Sequence, residues 1–463
     1  MSRQTHADAE ALFFLGTRAM DAGDAAGAEA CLREALRIAP GYAAALVNLG
    51  LVLKQTGDSE EAEICYRRSL ELDPAIMETY LNLGALLADE KRFLDAEQAY
   101  LQAIALDARS PAAWSNLGVL YACMKREEEA ERCYRTAIAL DDGHAGSRFN
   151  LSYLLLRQGR FEQGWHCLES RARDAVQADC PRWQGESLAG KSILISHEGG
   201  LGDAIQFCRY AAVLKARGAT RVGLLCHPSL KALLATLEGA DAMVAVDDMA
   251  AASDCDFWTP LLSLPYHCNT RLDSIPSAIP YLHAPADRVR RWAALLPSSG
   301  VRVGLAWKGN PLFENDADRS LPSLDVLAPL GAVAGVSFVS LQKGAGEDEA
   351  AMPPQGLLLL NLGDQLEDFA DTAAVVMNLD LVICVDTAVA HLAGALGKPC
   401  WVMLPEYKTD WRWLTARTDT PWYPGAMRLF RQTVMGDWTA VVAEVAVALQ
   451  RLAAQGHGSF SHP

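Results

Sequence analysis

The stretch HEGGLGD, His197 to Asp203, follows a short apolar run and precedes a helical pattern. A second stretch of the same kind, VDTAVAH, Val385 to His391, lies further along the chain. Turns that close a parallel strand and open a helix present backbone N–H groups and the positive end of a helix dipole, so they bind anions and nucleotides. Two such turns in consecutive α/β regions predict a crevice that holds a phosphorylated ligand.

Short apolar runs alternate with helical patterns around both stretches, which predicts parallel, doubly wound sheets. We expect two Rossmann-like domains, at 185–290 and 300–435, and a last helix at 438–455 that folds back. The predicted strands are 191–196, 222–226, 243–246, 301–307, 337–341, 357–360, 381–384 and 401–404, and the predicted helices are 203–217, 229–237, 366–378 and 387–396.

A 34-residue repeat precedes this region, and several positions keep its period at once. We expect its small residues to let the two helices of a unit approach closely and its aromatic residue to fill the space between units. Repeats at 9–175 are predicted, four good and one degenerate. The repeated positions are Gly16, Gly50, Gly84 and Gly118; Ala28, Ala62, Ala96 and Ala130; and Leu32, Tyr66, Tyr100 and Tyr134.

One asparagine recurs in the repeats, at Asn48, Asn82, Asn116 and Asn150. An amide side chain is both a donor and an acceptor, so a row of them could hold an extended peptide by its backbone whatever its sequence. The alternative is that asparagine is simply common at this position.

Composition excludes several classes of function. The formal net charge is −16, which argues against nucleic acid or an anionic membrane as the main partner. The first residues are polar and no run of 18 apolar residues occurs, so we expect neither export nor a membrane span. The 12 cysteines form no C-x-x-C, which is typical of reduced thiols in the cytoplasm rather than disulfides or a zinc site.

The chain resembles a known bacterial family along nearly its whole length. The family joins tetratricopeptide repeats (TPR) to a glycosyltransferase domain similar to the heptosyltransferases, and its architecture is similar to that of protein O-linked N-acetylglucosamine transferases. The resemblance implies a TPR superhelix, then an α/β GT-B fold, a nucleotide-sugar co-substrate, a protein acceptor and no cofactor or required metal. The blocks that carry it are HEGGLGDAIQFCRY (197–210), GLAWKGNP (304–311), NDADRSLP (315–322), DFADTAAVV (368–376), DLVICVDTAVAHLAGALGKPCW (380–401), DWRWL (410–414), PWYP (421–424) and MRLFRQ (427–432).

The resemblance implies that Asp203 is the base that takes the proton of the acceptor hydroxyl. An aspartate at the start of a helix could instead be a cap. Gly200 and Gly202 would let the backbone approach the donor, or serve only a tight turn. His197 could face the crevice or belong to the core.

The resembled enzymes use the second stretch for the donor, which implies donor contacts for Asp386, Thr387, Ala388 and His391. Capping by Asp386 and core packing of His391 are the alternatives. Lys308, Asn310 and Arg319 follow the strand 301–307, where a cation would neutralise the leaving group. Gln342 and Lys343 could contact the base or ribose. Each of these last five could also be an ordinary loop residue.

Two further motifs are expected to have structural roles rather than to bind a metal or a sugar. Asp254-Cys255-Asp256 matches a metal-binding D-x-D, which we discount because an apolar segment follows it. The aromatic cluster Trp411, Trp413, Trp422 and Tyr423 is expected to pack the C-terminal segment rather than to stack on a sugar.

The leading hypothesis is a glycosyltransferase whose repeats recruit a protein. A scaffold with a silent or merely nucleotide-binding α/β region is a second hypothesis, and a nucleotide-sugar epimerase is a third. A nicotinamide enzyme is disfavoured, because no G-x-G-x-x-G follows the first strand.

Overall fold

The computed structural model describes residues 3–171, 178–248 and 255–455. The chain divides into two compact units, Met1–Leu154 and Leu155–Pro463. The tail after Gln455 and the end of the repeat region expected at 9–175, residues 172–175, lie outside the described residues.

The first unit consists of consecutive helix pairs. From α1 to α8, each odd-numbered helix packs on the next one, and α3, α5 and α7 also contact one another in order. Alternate helices therefore line one face, as in stacked repeats. The helices are α1 (Arg3–Asp21), α2 (Ala25–Ile38), α3 (Ala43–Thr56), α4 (Ser59–Leu72), α5 (Met77–Asp89), α6 (Phe93–Leu106), α7 (Pro111–Cys123), α8 (Glu127–Leu140) and α9 (Ala145–Arg157).

The repeated glycines make the close packing within each pair possible. A Cβ on Gly84 would stand 2.6 Å from Cε1 of Tyr100, and Gly50 and Gly118 face the tyrosines of their own units in the same way. The ring packs on the glycine of its own unit, where only a residue without a Cβ leaves room for it.

The second unit begins with α10 (Phe161–Leu168) and contains two sheets. Its strands are β1 (Ser192–Ser196), β2 (Arg221–Cys226), β3 (Ala242–Ala245), β4 (Phe257–Pro260), β5 (Val301–Ala306), β6 (Val336–Ser340), β7 (Leu359–Asn361), β8 (Leu381–Val385), β9 (Cys400–Leu404) and β10 (Met427–Arg431). Its later helices are α11 (Leu201–Phe207), α12 (Tyr210–Ala216), α13 (Lys231–Leu234), α14 (Leu264–His267), α15 (Ala286–Ala293), α16 (Asp316–Arg319), α17 (Phe369–Met377), α18 (Ala388–Ala395) and α19 (Trp438–Gln455).

Both sheets are parallel throughout the described pairings. The first has the strand order β3-β2-β1-β4 and the second the order β10-β9-β8-β5-β6-β7. Counted from its own first strand, the second sheet runs 3-2-1-4-5-6, the doubly wound order in which ligands bind where the strand order reverses. These reversals lie between β1 and β4 and between β5 and β8.

The predicted strands are confirmed, with shifts of one or two residues at their ends. Two further strands, β4 and β10, were not predicted. β4 has four residues, ends in Pro260 and follows the D-x-D motif, so its strand character is weak in the sequence.

The helix predicted at 203–217 is wrong in one respect, because the chain breaks it into α11 and α12. At the junction Arg209 Nε donates to the carbonyl of Gln206 at 2.7 Å. The next backbone bond, from Ala211 to Cys208, spans three residues and not four. The guanidinium thus takes an acceptor that an uninterrupted helix would use.

Three helices join packing that the predicted domain limits did not anticipate. α10, expected in the fifth repeat, belongs to the second unit, where Trp165 Nε1 donates to the carbonyl of Thr270 at 2.9 Å. α15 packs on α17 of the second sheet. α19 packs its apolar face on β10 and on the core of that same sheet. Among the described helices, none is long and apolar enough to cross a membrane.

Candidate functional site

The two aspartate-containing turns meet in the second unit. The first connects β1 to α11 and the second connects β8 to α18, and α11 packs against α18. Because parallel strands end at one edge of their sheet, both turns lie at carboxyl edges and next to the reversals of strand order. The sequence predicted that these two segments, which lie far apart in the chain, face one crevice, and in the structure the helices that they open are in contact.

The contact between the helices depends on a glycine. A Cβ on Gly202 would stand 2.9 Å from His391 Cδ2 and 3.6 Å from the Cα of Ala388. Gly202 is therefore a close-approach residue between two helices. Gly200 is the N-cap of α11, and its backbone N–H donates to Asp203 Oδ2 at 2.7 Å.

Asp203 makes two contacts, one with each carboxylate oxygen. Oδ2 accepts the bond from Gly200, as the capping alternative requires, and Oδ1 is paired with Arg412 Nη2. The predicted base is thus directed toward the second sheet and is occupied there by a guanidinium.

Arg412 is the residue that the sequence analysis missed. It is 8% exposed and lies in the 3-10 turn Trp411–Trp413 after β9. Its Nη1 donates to both oxygens of Asp410, at 3.0 and 2.9 Å, and its Nε donates to Gln206 Oε1 at 2.6 Å. The only signal in the sequence was the block DWRWL, in which an acidic and a basic residue stand within an aromatic segment.

Asp386 is buried at the end of β8, with 7% of its surface exposed. Burial, and next the charge of Asp410, raise its pKa from 3.8 to about 6, while Trp413, Arg319 and Arg412 act in the opposite direction. A carboxyl in this setting holds a proton in mildly acidic solution.

His391 is buried beneath Trp413, with ring centroids 5.4 Å apart and planes 19° from parallel. Its Nδ1 lies 2.9 Å from the hydroxyl of Tyr423. Burial, then the charges of Arg412, Arg209 and Arg319, hold its pKa well below 6.5. The imidazole is neutral at physiological pH, so the positive charge of this site comes from arginines.

Arg319 provides a second guanidinium at the carboxyl end of β5. Its Nε donates to Asp316 Oδ1 at 3.1 Å, and its guanidinium lies 4.4 Å from the centre of the Phe313 ring. A Cβ on Gly309 would stand 2.8 Å from Arg319 Nη2, so the loop after β5 closes directly over this cation.

The other predicted donor contacts after β5 and β6 serve the loops themselves. Lys308 Nζ pairs with Glu349 Oε1, and Lys343 Nζ donates to Glu347 Oε1 and to the carbonyl of Gly363, both at 2.9 Å. Asn310 Oδ1 accepts from the backbone of Leu312 at 3.1 Å, which closes a turn.

Gln342 is saturated by backbone groups. Its Oε1 accepts from the N–H groups of Trp307 and Lys308, at 2.9 and 3.0 Å, and its Nε2 donates to the carbonyls of Lys308 and Ala345, at 3.1 and 2.8 Å. An amide forms four such bonds, so the expected contact with a base or ribose has no free group to make it. In the structure Gln342 fixes the loop that carries Lys308.

Thr387 is the N-cap of α18, where its Oγ1 accepts from the backbone of Val389 at 3.0 Å. The capping role considered for Asp386 thus belongs to its neighbour, which leaves the Asp386 carboxyl beside Asp410 and Trp413. Ala388, the first residue of α18, is half-buried.

Two further residues of the first turn, Glu198 and His197, precede its glycines. Glu198 is 5% exposed and pairs with Arg171 through both oxygens, at 2.8 Å each. His197 has a buried Nδ1 without a partner, and burial lowers its pKa.

The D-x-D motif has a structural use in its described part, and Asp254 lies outside the described residues. The carboxylate of Asp256 accepts from the backbone and hydroxyl of Ser192, at 2.8 Å each, and from Lys191 Nζ at 2.9 Å. These contacts lower its pKa to about 2 and fix the start of β1. In the described parts of the chain, no group of three or more His, Cys, Asp or Glu side chains could hold a metal ion.

The aromatic cluster packs the C-terminal segment, as predicted. Trp411 packs edge-to-face on Trp165 of α10, with ring centroids 5.2 Å apart. Its other members, Trp413, Trp422 and Tyr423, are fully buried. Arg209 joins them as a buried cation, donating to the carbonyl of Trp422 at 2.7 Å.

The asparagine row lies on alternate helices of the first unit, and all four side chains are half-buried. Asn48 Nδ2 donates to Thr17 Oγ1 at 3.1 Å. Within the described residues, the side chains of Asn82, Asn116 and Asn150 have no hydrogen-bond partner. Three members of the row therefore offer amides that a peptide backbone could use.

Comparison with known families identifies the repeats. Models of the tetratricopeptide repeat match residues 8–75, 78–110 and 111–144. The first unit thus carries TPR repeats, a type of array that presents a surface for protein partners. The fifth copy expected beyond residue 144 lies outside these matches.

One curated protein similar to this chain is FlbA of Caulobacter vibrioides. It is 28% identical over 340 residues, which cover 65% of this chain and 54% of FlbA. The chain therefore spans about half the length of this relative.

Several solved structures are similar to part of the chain. MamA is 22% identical, with a TM-score of 0.31 over 34% of this chain and 91% of MamA. PilF of Pseudomonas aeruginosa is 20% identical, with a TM-score of 0.37 over 46% of this chain and 88% of its own. A thermophilic TPR protein of Thermus thermophilus is 20% identical, with a TM-score of 0.32 over 34% of this chain and 87% of its own.

Proposed function

We propose that the chain is a glycosyltransferase of the GT-B type, which moves a sugar from a nucleotide-sugar donor to a hydroxyl of a protein recruited by the TPR repeats. The observation that carries the proposal is the convergence of two strand-to-helix turns, one bearing Asp203 and the other Asp386. Their surroundings, with Arg319 and Arg412, have the charge that a diphosphate leaving group requires.

The reaction divides between the two sheets. Asp203, after β1, takes the proton of the acceptor hydroxyl while the hydroxyl oxygen forms a bond to C1 of the sugar. The bond between C1 and the phosphate oxygen breaks, and the nucleoside diphosphate leaves with the electron pair. Backbone N–H groups at the start of α18 and the guanidinium of Arg319 would stabilise that charge.

The TPR repeats support a macromolecular acceptor. Asn82, Asn116 and Asn150 offer unpaired amides along one row, which suits an extended peptide held by its main chain. The resemblance of the α/β blocks to heptosyltransferase-like enzymes supports the donor class.

A TPR scaffold with a silent α/β region is the second candidate. It is favoured by one observation, that Asp203, Lys308, Gln342 and Lys343 are all engaged by protein groups. Under this reading the α/β region stabilises the chain or binds nucleotide without turnover.

Turnover of a donor panel separates the two candidates. The full chain is incubated with UDP-, GDP-, ADP- and dTDP-sugars, and release of the nucleoside diphosphate is measured. A transferase releases one of them, and Asp203→Asn lowers that rate by about 10²- to 10⁴-fold while the donor still binds. Absence of release from every donor, or unchanged release by the variant, would contradict the catalytic proposal.

A further inference from the structure

Arg412 holds together three acceptors that belong to both sheets. Its guanidinium contacts Asp410 in its own turn and Asp203 and Gln206 on α11. The side chain also lies 4.4 Å from the centre of the Trp411 ring. These protein contacts fix the orientation of the buried Arg412 guanidinium.

The contact with Asp203 conflicts with the proposed role of that carboxylate. Of its two oxygens, Oδ2 is used by the backbone of Gly200 and Oδ1 by Arg412. A hydroxyl that approaches the base meets a guanidinium on the oxygen that faces the second sheet. The guanidinium competes with the acceptor hydroxyl for this oxygen, so the acceptor is better placed for deprotonation once the pair has separated.

A diphosphate bound near the start of α18 would be an alternative partner for Arg412. Arg412 pairs with Asp203, and the neighbouring Gly202 packs against Ala388, so this guanidinium lies close to the start of α18. Arg319 and Arg412 also both act on the pKa of Asp386 and on that of His391. A diphosphate bound at this helix start would lie within the field of both arginines. Planar guanidinium groups bind the oxygens of phosphates in pairs, as they do those of carboxylates.

We propose that Arg412 is a diphosphate-binding residue that pairs with Asp203 only while the donor is absent. This inference rests on the proposed function. When a nucleoside diphosphate binds, the Arg412 guanidinium transfers from Asp203 to phosphate oxygens, and Asp203 becomes available to the acceptor hydroxyl. The exchange makes the donor bind before the acceptor is activated.

A double-mutant cycle on nucleotide affinity tests the exchange. UDP, GDP, ADP and dTDP are each titrated calorimetrically into the wild-type chain, and the one that binds is used throughout. Arg412→Gln should weaken its binding by about tenfold or more, because a charge-assisted contact is lost. Asp203→Asn should strengthen it, because the competitor for Arg412 is removed.

The nucleotide affinity of the double variant decides whether the two residues are coupled. With Arg412 absent, removal of Asp203 has nothing to release, so Asp203→Asn/Arg412→Gln should bind as Arg412→Gln does. Unchanged or weaker binding by Asp203→Asn, or effects of the two changes that simply add, would overturn the inference. The asparagine variant should fold, because its amide oxygen can still accept from the Gly200 N–H.

Arg428→Gln is the matched control. Arg428 also lies over aromatic rings, those of Trp401 and Phe430, and has a carboxylate partner in Glu444. It is on β10, away from α11, so its removal should leave nucleotide affinity unchanged. If the wild type binds none of the four diphosphates, the proposed function and the inference both fail. If it binds one and Arg412→Gln binds equally well, the inference alone fails.

Discussion

Gly202 and His391 stand so close that a Cβ on the glycine would lie 2.9 Å from Cδ2 of the imidazole ring. We therefore expect Gly202→Ala to separate α11 from α18 and to lower the free energy of unfolding by about 1–3 kcal/mol. Urea unfolding followed by tryptophan fluorescence measures this. Gly200→Ala is the control for the added methyl group, because a Cβ there meets Asp203 Oδ2 only at 3.5 Å, and its smaller loss measures the N-cap effect alone. Equal midpoints for the two variants would contradict the prediction.

Asp386 should make stability depend on pH in the acidic range. Burial raises its pKa from 3.8 to about 6, so its contribution is fully present below 3.8 and is lost as pH rises through 6. Asp386→Asn, which never becomes charged, should gain stability relative to wild type over that interval. Denaturation midpoints at several pH values report this.

Asp256 should change the pH dependence of stability in the opposite direction from Asp386. Its pKa is lowered to about 2, so its stabilising contribution is present above 3.8 and is lost as pH falls through 2. Asp256→Asn should therefore lose stability relative to wild type near neutral pH. The same sign for both variants would refute the assignment of the two carboxyls.

The packing of the TPR repeats predicts a local effect of Gly84→Ala. The added Cβ would stand 2.6 Å from the Tyr100 ring, so α5 and α6 should separate and lose about 1–3 kcal/mol. Amide hydrogen exchange measured by mass spectrometry should speed up in peptides from these helices. Gly41→Ala is the control, since its Cβ would have only Leu72 Cδ2 nearby, at 3.9 Å. Similar exchange in both variants would argue against the tight fit.

The asparagine row predicts recognition of a peptide main chain. Replacing Asn82, Asn116 and Asn150 together by Ala should weaken binding to peptide arrays and leave the circular dichroism spectrum unchanged. Arrays in which alternate backbone nitrogens are methylated should bind weakly to the wild type, because donors are lost. Gln102→Ala, at an exposed amide on α6, should change neither result. If the triple variant binds the peptide arrays as the wild type does, the asparagine row is not the peptide-binding surface.

The sequence predicted those features that depend on local periodicity. The 34-residue period gave the helix pairs, and apolar runs gave most strands, because both patterns are repeated along the chain. It also predicted that the turns bearing Asp203 and Asp386 face one crevice, since each follows a strand at the carboxyl edge of its own sheet. The split between α11 and α12 was missed because it depends on where one side chain, Arg209, places its guanidinium.

The sequence did not predict which groups the individual site residues contact. Arg412 and Asp203 are 209 positions apart, and nothing local in either segment marks them as partners. Gln342 and Lys308 follow strands just as ligand-binding residues do, yet their polar groups hold loops in place. Position at a strand end predicts that a residue belongs to the site, and only the three-dimensional structure shows which groups there remain free.

The last helix of the repeat pattern, α10, has a consequence for recombining the halves of this protein. Trp165 is 2% exposed and bonded to Thr270 in the α/β unit, so it behaves as part of that unit's interior. A chimera that exchanges the repeats for another array should keep residues from 155 onward together. If the junction were placed at 175, where the repeat period ends, the chimera would lack Phe161 and Trp165. The apolar residues of the α/β unit that pack against them would then be exposed to solvent.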